Sequence, residues 1–272
     1  MELNFNLCGI SGLPRCGSTL IAGIFNQHPD VHIEGTSGLP SLIAKNCENI
    51  LDESTTTNVF LRANNRVDIT NRRLVSAMIN GFYYDVEKPF VIDKSRSWTI
   101  PIVLENVEKI ADRKFRLLIL IRPIEEIIKS FAALVDETDR TDDFYRQFFD
   151  GAAPINECFF DILKIANSNR KNVMIKEYSE IVSDPVGCIG EIRDFFGLRN
   201  FDYSFFNLNE YSPEDDSVYP YRNLHVLRNG VSRQKIEFDL PEWVNEKASE
   251  MSEMLYKFTN LSLKGETNGA LC

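Results

Sequence analysis

Two apolar periods alternate along the chain. Leu3 to Ile10 is a short apolar run broken by Gly12 and Pro14, the pattern of a buried strand entering a turn. From Gly17 onward Leu20, Ile21, Ile24 and Phe25 recur at helical spacing and stop before His28-Pro29. Val31 to Glu34 is short and extended. Pro89 to Asp93 and Phe115 to Ile121 are β-rich runs without polar alternation, as strands covered on both faces require, and Asn172 to Ile175 repeats the pattern. Thr70 to Val86, Ile100 to Ala111, Pro123 to Val135 and Phe144 to Ala166 carry helical spacing, the third opened by a proline in its first turn. After Asp184-Pro185 a helix runs to Phe196, where Gly197 supplies its C-terminal cap. Phe201 to Tyr221 is aromatic and acidic with little period, and reads as a long irregular connection. Leu240 to Phe258 closes with a helix, and the polar residues from about Lys264 read as a frayed tail.

Strands that alternate with helices predict an α/β fold with a parallel sheet flanked by helices on both faces. No repeat and no linker divides the chain, so residues 1–272 are expected to form one domain. Composition narrows the function. With 19 Phe, 9 Tyr and 43% hydrophobic residues in 272, a large core is available and disorder is excluded. The 30 Lys+Arg against 40 Asp+Glu leave a net charge of −10, which argues against nucleic acid as partner. A phosphorylated ligand would have to be held by a few placed cations.

No stretch reaches the roughly 18 apolar residues of a membrane span. The run Leu7 to Ile10 has no basic region before it, so neither a secretory signal nor a membrane partner is expected. Cys8, Cys16, Cys47, Cys158, Cys188 and Cys272 are scattered, without a paired spacing or a nearby His cluster. They suggest no metal site and no disulfide framework, and the cytoplasm fits this usage.

The chemistry concentrates where the first strand meets its helix, at Gly12-Leu13-Pro14-Arg15-Cys16-Gly17-Ser18-Thr19. Backbone N–H groups at a helix N-terminus suit an anionic oxygen cluster, and a glycine lets the backbone approach it. The loop is therefore P-loop-like. It lacks the lysine that would follow the second glycine in a nucleotide kinase, where Ser18 stands, and Arg15 is the nearest cation. The run Phe115 to Ile121 ends in Arg122, where such a kinase carries a magnesium-holding acid. A cation there repels metal and attracts a second phosphate.

These departures resemble the sulfotransferases that use 3′-phosphoadenosine-5′-phosphosulfate (PAPS). The segment GLPRCGSTLIAGIFNQHPDVHIEGTSGLP is most similar to the corresponding part of tyrosylprotein sulfotransferases. Arg122-Pro123 with Ser130, eight residues after the arginine, resembles the family's 3′-phosphate element. Asp93-Lys94 resembles the turn that carries a catalytic lysine. Lys176-Glu177-Tyr178 with Asp184-Pro185 and Phe195-Phe196-Gly197-Leu198 resembles a further family segment, and Leu227-Arg228-Asn229-Gly230 a late divergent one.

The resemblance implies a sulfotransferase fold and metal-independent transfer of a sulfuryl group from PAPS to a hydroxyl of a small molecule, saccharide or tyrosine. Arg15, Cys16, Gly17, Ser18 and Thr19 would hold the 5′-phosphosulfate, Arg15 also serving catalysis by its charge. Arg122 and Ser130 would clamp the 3′-phosphate, with Arg228 and Gly230 as further contacts, while Ser232, resembling the family's late serine, would assist Lys94 on the donor. Tyr178 would meet the adenine or simply pack in the core. Lys94 would stabilise charge on the bridging oxygen. Glu34 matches a carboxylate general base; His32, two residues earlier and on the same face of an extended segment, is its rival. His28 and His225 are expected to serve structure. A P-loop kinase of a small molecule is the alternative, and a non-catalytic nucleotide-binding module a third reading. The residues do not disclose the acceptor or the oligomeric state.

Overall fold

A computed structural model describes residues 3–52, 54–111, 115–151, 154–168, 170–208, 216–218, 221, 224–227, 229–232, 236, 238–259 and 261. Strand β1 (Asn6–Gly12) leads through helix α1 (Ser18–Phe25) to β2 (Val31–Thr36). Helices α2 (Leu39–Leu51), α3 (Thr56–Ala63) and α4 (Val67–Phe82) precede β3 (Phe90–Lys94), and α5 (Pro101–Ile110) joins it to β4 (Arg116–Ile121). Then come α6 (Ile124–Ala132), α7 (Asp142–Arg146), α8 (Pro154–Ala166), β5 (Val173–Glu177), α9 (Tyr178–Ser183), α10 (Pro185–Phe196) and α11 (Glu242–Thr259).

The five strands form one parallel sheet in the order β2-β3-β1-β4-β5. Side chains alternate across it. Leu7, Val91, Leu117, Ile119 and Ile121 face a core completed by α4, α5, α6, α8 and α11. Cys8, Ile10, Ile92, Leu118 and Leu120 face a second core against α1 and α10. Apolar residues on both faces explain the unbroken run of β4, and the α/β sheet covered on both sides matches the expectation.

The differences are local. The single helix expected over Phe144 to Ala166 is two, α7 and α8. Pro154 has no N–H to donate and its ring would strike the carbonyl one turn earlier, so it starts a helix instead of continuing one. Helices α2, α3 and α9 were not anticipated. The last is six residues long, too short to show a period, and is opened by Glu177, whose Oε1 accepts from the Ser179 N–H at 3.1 Å. In Phe201 to Tyr221, residues 201–208 are irregular as expected, residues 216–218 form a 3-10 turn, and residues 209–215 lie outside the described residues. The expected tail from about Lys264 also lies outside them. Among the described residues no helix is long and apolar enough to cross a membrane.

One buried polar cluster sits beside the end of β3. The Asp93 carboxylate accepts from the Ser37 hydroxyl (2.6 and 2.8 Å), the Tyr83 hydroxyl (2.5 Å) and the Trp98 indole N–H (2.7 Å). Burial pushes this carboxyl up, and the three donors pull it back. Asp93→Ala would leave three donors without their acceptor at 1–3 kcal/mol apiece, so a loss of about 3 kcal/mol or more is expected in urea unfolding.

Candidate functional site

Because every strand runs the same way, the C-terminal ends of all five lie along one edge, where open α/β sheets bind ligands. The turn after β1 starts with backbone against backbone. Gly12 (φ 143°) lies so close to β4 that a Cβ would fall 2.1 Å from the Leu120 carbonyl oxygen, and the Leu13 N–H donates to that oxygen at 3.0 Å. Arg15 adopts the left-handed region (φ 59°). Gly17 (φ 91°) caps α1, and a Cβ there would meet the Tyr178 ring at 2.8 Å. The turn therefore requires glycine at both positions, for conformation and for space.

The strand register brings the remaining groups in. Ile121 pairs with Glu177, so the next residues, Arg122 and Tyr178, stand side by side with the guanidinium 4.6 Å from the ring centroid. Arg122 Nε pairs with Glu126 at 2.9 Å, and its Nη1 donates to the Arg15 carbonyl at 3.1 Å. Arg15 reaches outward: Nε donates to Ser130 Oγ at 2.9 Å and Nη1 to the Leu224 carbonyl. On the other side, Ile10 pairs with Lys94, whose Nζ lies 3.4 Å from Thr19 Oγ1.

These groups wall a cavity of about 370 Å³. Of the residues proposed from sequence, Arg15, Gly17, Ser18, Thr19, Lys94, Arg122, Ser130, Tyr178, Gly230 and Ser232 all line it. Cys16 does not: it is buried beneath the turn, and burial pushes its thiol up to about 11. Arg228 lies outside the described residues. Glu34 and His32 stand on the edge strand β2, outside the lining. The pairing of β2 with β3 shifts between Ile33 and Thr36, so Thr36 faces the cavity while the Glu34 side chain is 54% exposed and lies 3.1 Å from His32 Nε2. The two candidate bases meet each other away from the cavity lining.

The lining carries four basic side chains, Arg15, Lys94, Arg96 and Arg122, and no carboxylate among its described residues. Burial pushes the Lys94 ammonium down to about 7; the Arg96 charge adds to this and Asp216 opposes it. His225 also lines the cavity, with Nδ1 2.7 Å from Asp216 Oδ1. Sequence reasoning missed this pair because its members stand nine positions apart in a stretch with no apolar period to place them on one face. Among the described residues no group of three or more His, Cys, Asp or Glu side chains is arranged to hold a metal ion.

A strand, a glycine turn and two arginine-centred anion elements on one edge invite comparison with known proteins. The family model described as "Sulfotransferase family" matches residues 9–203. The chain belongs to the sulfotransferase family. No curated protein matches its sequence. Among solved structures, it is similar to the sulfotransferase domain of the Synechococcus PCC 7002 olefin synthase, at 18% identity and TM-score 0.57, over 93% of this chain and 94% of that one. The sulfotransferase domain from the curacin biosynthetic pathway aligns over 97% and 100% at 14% identity and TM-score 0.59. The mouse sulfotransferase SULT7A1 complexed with PAP aligns over 92% and 84% at 13% identity and TM-score 0.53. At these identities the structures speak for the fold. The finer likeness to tyrosylprotein sulfotransferases gains no support from them.

In this sulfotransferase the depressed Lys94 is itself measurable. Between pH about 7 and its ordinary 10.5, the folded state holds fewer protons on this side chain than the unfolded chain does. Stability therefore rises with pH across that window, by up to about 1.4 kcal/mol per unit from this group. Lys94→Met is expected to be more stable than wild type at pH 7 and to lose that advantage by pH 10, read from urea unfolding at each pH.

Proposed function

We propose that this sulfotransferase moves a sulfuryl group in line from PAPS to the hydroxyl of a small-molecule acceptor. One observation carries the reading. The glycine turn and the Arg122–Ser130 element, expected to bind opposite ends of the donor, are tied together by Arg15 in a single cavity rich in cations. The residues present fit the donor: Gly17 leaves the backbone bare at the N-terminus of α1, and four basic side chains face the space.

When bound, the donor supplies an activated sulfuryl group on a phosphate leaving group. The N–H groups at the start of α1, with Ser18 and Thr19, would hold its 5′ end. Arg122 and Ser130 would hold the 3′-phosphate, with Gly230 and Ser232 closing over it and Tyr178 against the base. Lys94, at the strand end beside Thr19, would stabilise charge on the oxygen that leaves, and an anion beside it would restore its proton. The charge stabilisation thus comes from side chains and backbone and calls for no metal. The rest of the wall includes Phe131, Phe148, Tyr221 and Leu224, which favours an acceptor with an apolar body over an acidic peptide.

The kinase alternative would need a lysine directly after Gly17, where Ser18 stands, and an acid just after β4, where Arg122 stands. Calorimetry separates the two. The bisphosphate product PAP is expected to bind at least about tenfold more tightly than ATP, since only the former places a phosphate against a charge-assisted clamp. Preference for ATP would overturn the reading. Arg122→Ala should weaken PAP binding by about tenfold or more, on the scale of a lost hydrogen bond to a charged group.

A further inference from the structure

The reading above leaves one titratable lining residue, His225, and its partner Asp216 unused. His225 is gripped twice by one carboxylate: its Nδ1 lies 2.7 Å from Asp216 Oδ1, and its backbone N–H donates to Asp216 Oδ2 at 3.1 Å. A third tie comes from the turn after β1, where Arg15 Nη1 donates to the carbonyl of Leu224, the residue before His225. The imidazole lines the same cavity as Lys94, Ser18 and Thr19. Both side chains are about four-fifths buried, at 20% and 21% exposure.

We propose that His225 is the general base that removes the acceptor's hydroxyl proton, and that Asp216 is its positioning residue. The proposal rests on sulfuryl transfer as the reaction. With Nδ1–H donated to Asp216, the lone pair of the neutral ring sits on Nε2, the arrangement in which a carboxylate fixes tautomer and orientation. The acceptor oxygen forms the new bond to sulfur. The bond from sulfur to the phosphate oxygen breaks and its electron pair leaves on PAP. The acceptor's proton passes to Nε2 and from there to solvent, while Asp216 steadies the imidazolium.

The surroundings suit the task. Burial pushes the His225 imidazole down, the bond to Asp216 pulls it up, and the charges of Lys94 on β3 and Arg15 in the turn after β1 push it down again. The net direction is below its ordinary value, so the ring is neutral at pH 7 and ready to accept. Asp216 is pushed up by burial, but its bonds from His225 outweigh that and hold it below the usual carboxylate range. Glu34 and His32, by contrast, do not line the cavity.

The test compares wild type, His225→Gln, Asp216→Asn and Glu34→Gln. Three quantities are read: PAP affinity by calorimetry, PAP released from PAPS with water or 2-naphthol as acceptor, and imidazole titration by NMR in the PAP complex. His225→Gln is expected to keep PAP affinity within about threefold and to lose about a hundredfold or more in PAP release. The acidic limb of the wild-type pH–rate profile should follow the His225 titration and vanish in that variant. In Asp216→Asn the His225 titration should move to lower pH, carry the limb with it and lower the rate by about tenfold. If His225→Gln keeps the wild-type rate or limb, or Glu34→Gln removes the limb while His225→Gln retains it, His225 is not the base. If wild type binds no PAP or releases none from PAPS, sulfuryl transfer itself fails and the base with it.

Discussion

At Gly12 the backbone of β1 meets the backbone of β4 with no room for a side chain, and the site is built outward from that contact. The Leu13 N–H takes the Leu120 carbonyl, so the turn must swing over the end of β4 instead of away from the sheet. There the Arg15 carbonyl can accept from Arg122, and the Arg15 side chain can span from Ser130 on α6 to Leu224 in the late loop. A Cβ at Gly12 would push the turn off β4 and separate three elements that come from distant parts of the chain. Arg15 has a left-handed backbone for the same reason: the turn must reverse within a few residues to present Gly17 at the start of α1.

A protein of net charge −10 that gathers four basic side chains around one cavity sets two fields against each other. Distance decides between them. At physiological ionic strength exposed charges are screened over about 8 Å, so surface carboxylates scarcely reach an anion in the cavity. Unit charges 4 Å apart attract by about 4 kcal/mol even at an effective dielectric constant of 20, so the lining wins locally. The protein also restrains these basic side chains itself. Arg122 is paired with Glu126, Arg15 is bonded to neutral groups, and Lys94 is pushed toward neutrality by burial. An entering anion meets donors already held in place, which lowers the reorganisation required for binding.

The parts of this arrangement that could be read in advance are those fixed by strand ends. The apolar run of β4 announces a strand covered on both sides, and parallel strands bring their C-terminal ends to one edge. Lys94 and Arg122 each stand just after such an end in the sequence pattern and line one cavity in the structure. Tyr178 and Ser130 came from the family resemblance, and the strand register and α6 bring them to the same cavity. Helix α9 was too short for its period to register. The break between α7 and α8 turned on Pro154 inside an otherwise helical pattern. Cys16 was grouped with the binding loop by position, yet in so tight a turn alternate side chains must point inward, and its thiol became part of the core beneath.

The proton acceptor shows why the remainder stayed hidden. Glu34 stands on β2, an edge strand with a neighbour on one side only, whose pairing with β3 slips between Ile33 and Thr36. Its side chain stays on the face of His32, 3.1 Å from Nε2, and neither residue lines the cavity. His225 belongs to an irregular connection without sequence period, yet it is held by Asp216 at two atoms and by Arg15 through Leu224. Rigidity here comes from three specific bonds instead of a regular element. Because one of those bonds comes from Arg15, the group that fixes the anion-binding turn also fixes the base opposite it. If His225 is the base proposed above, one side chain then couples the glycine turn to the group that takes the acceptor's proton.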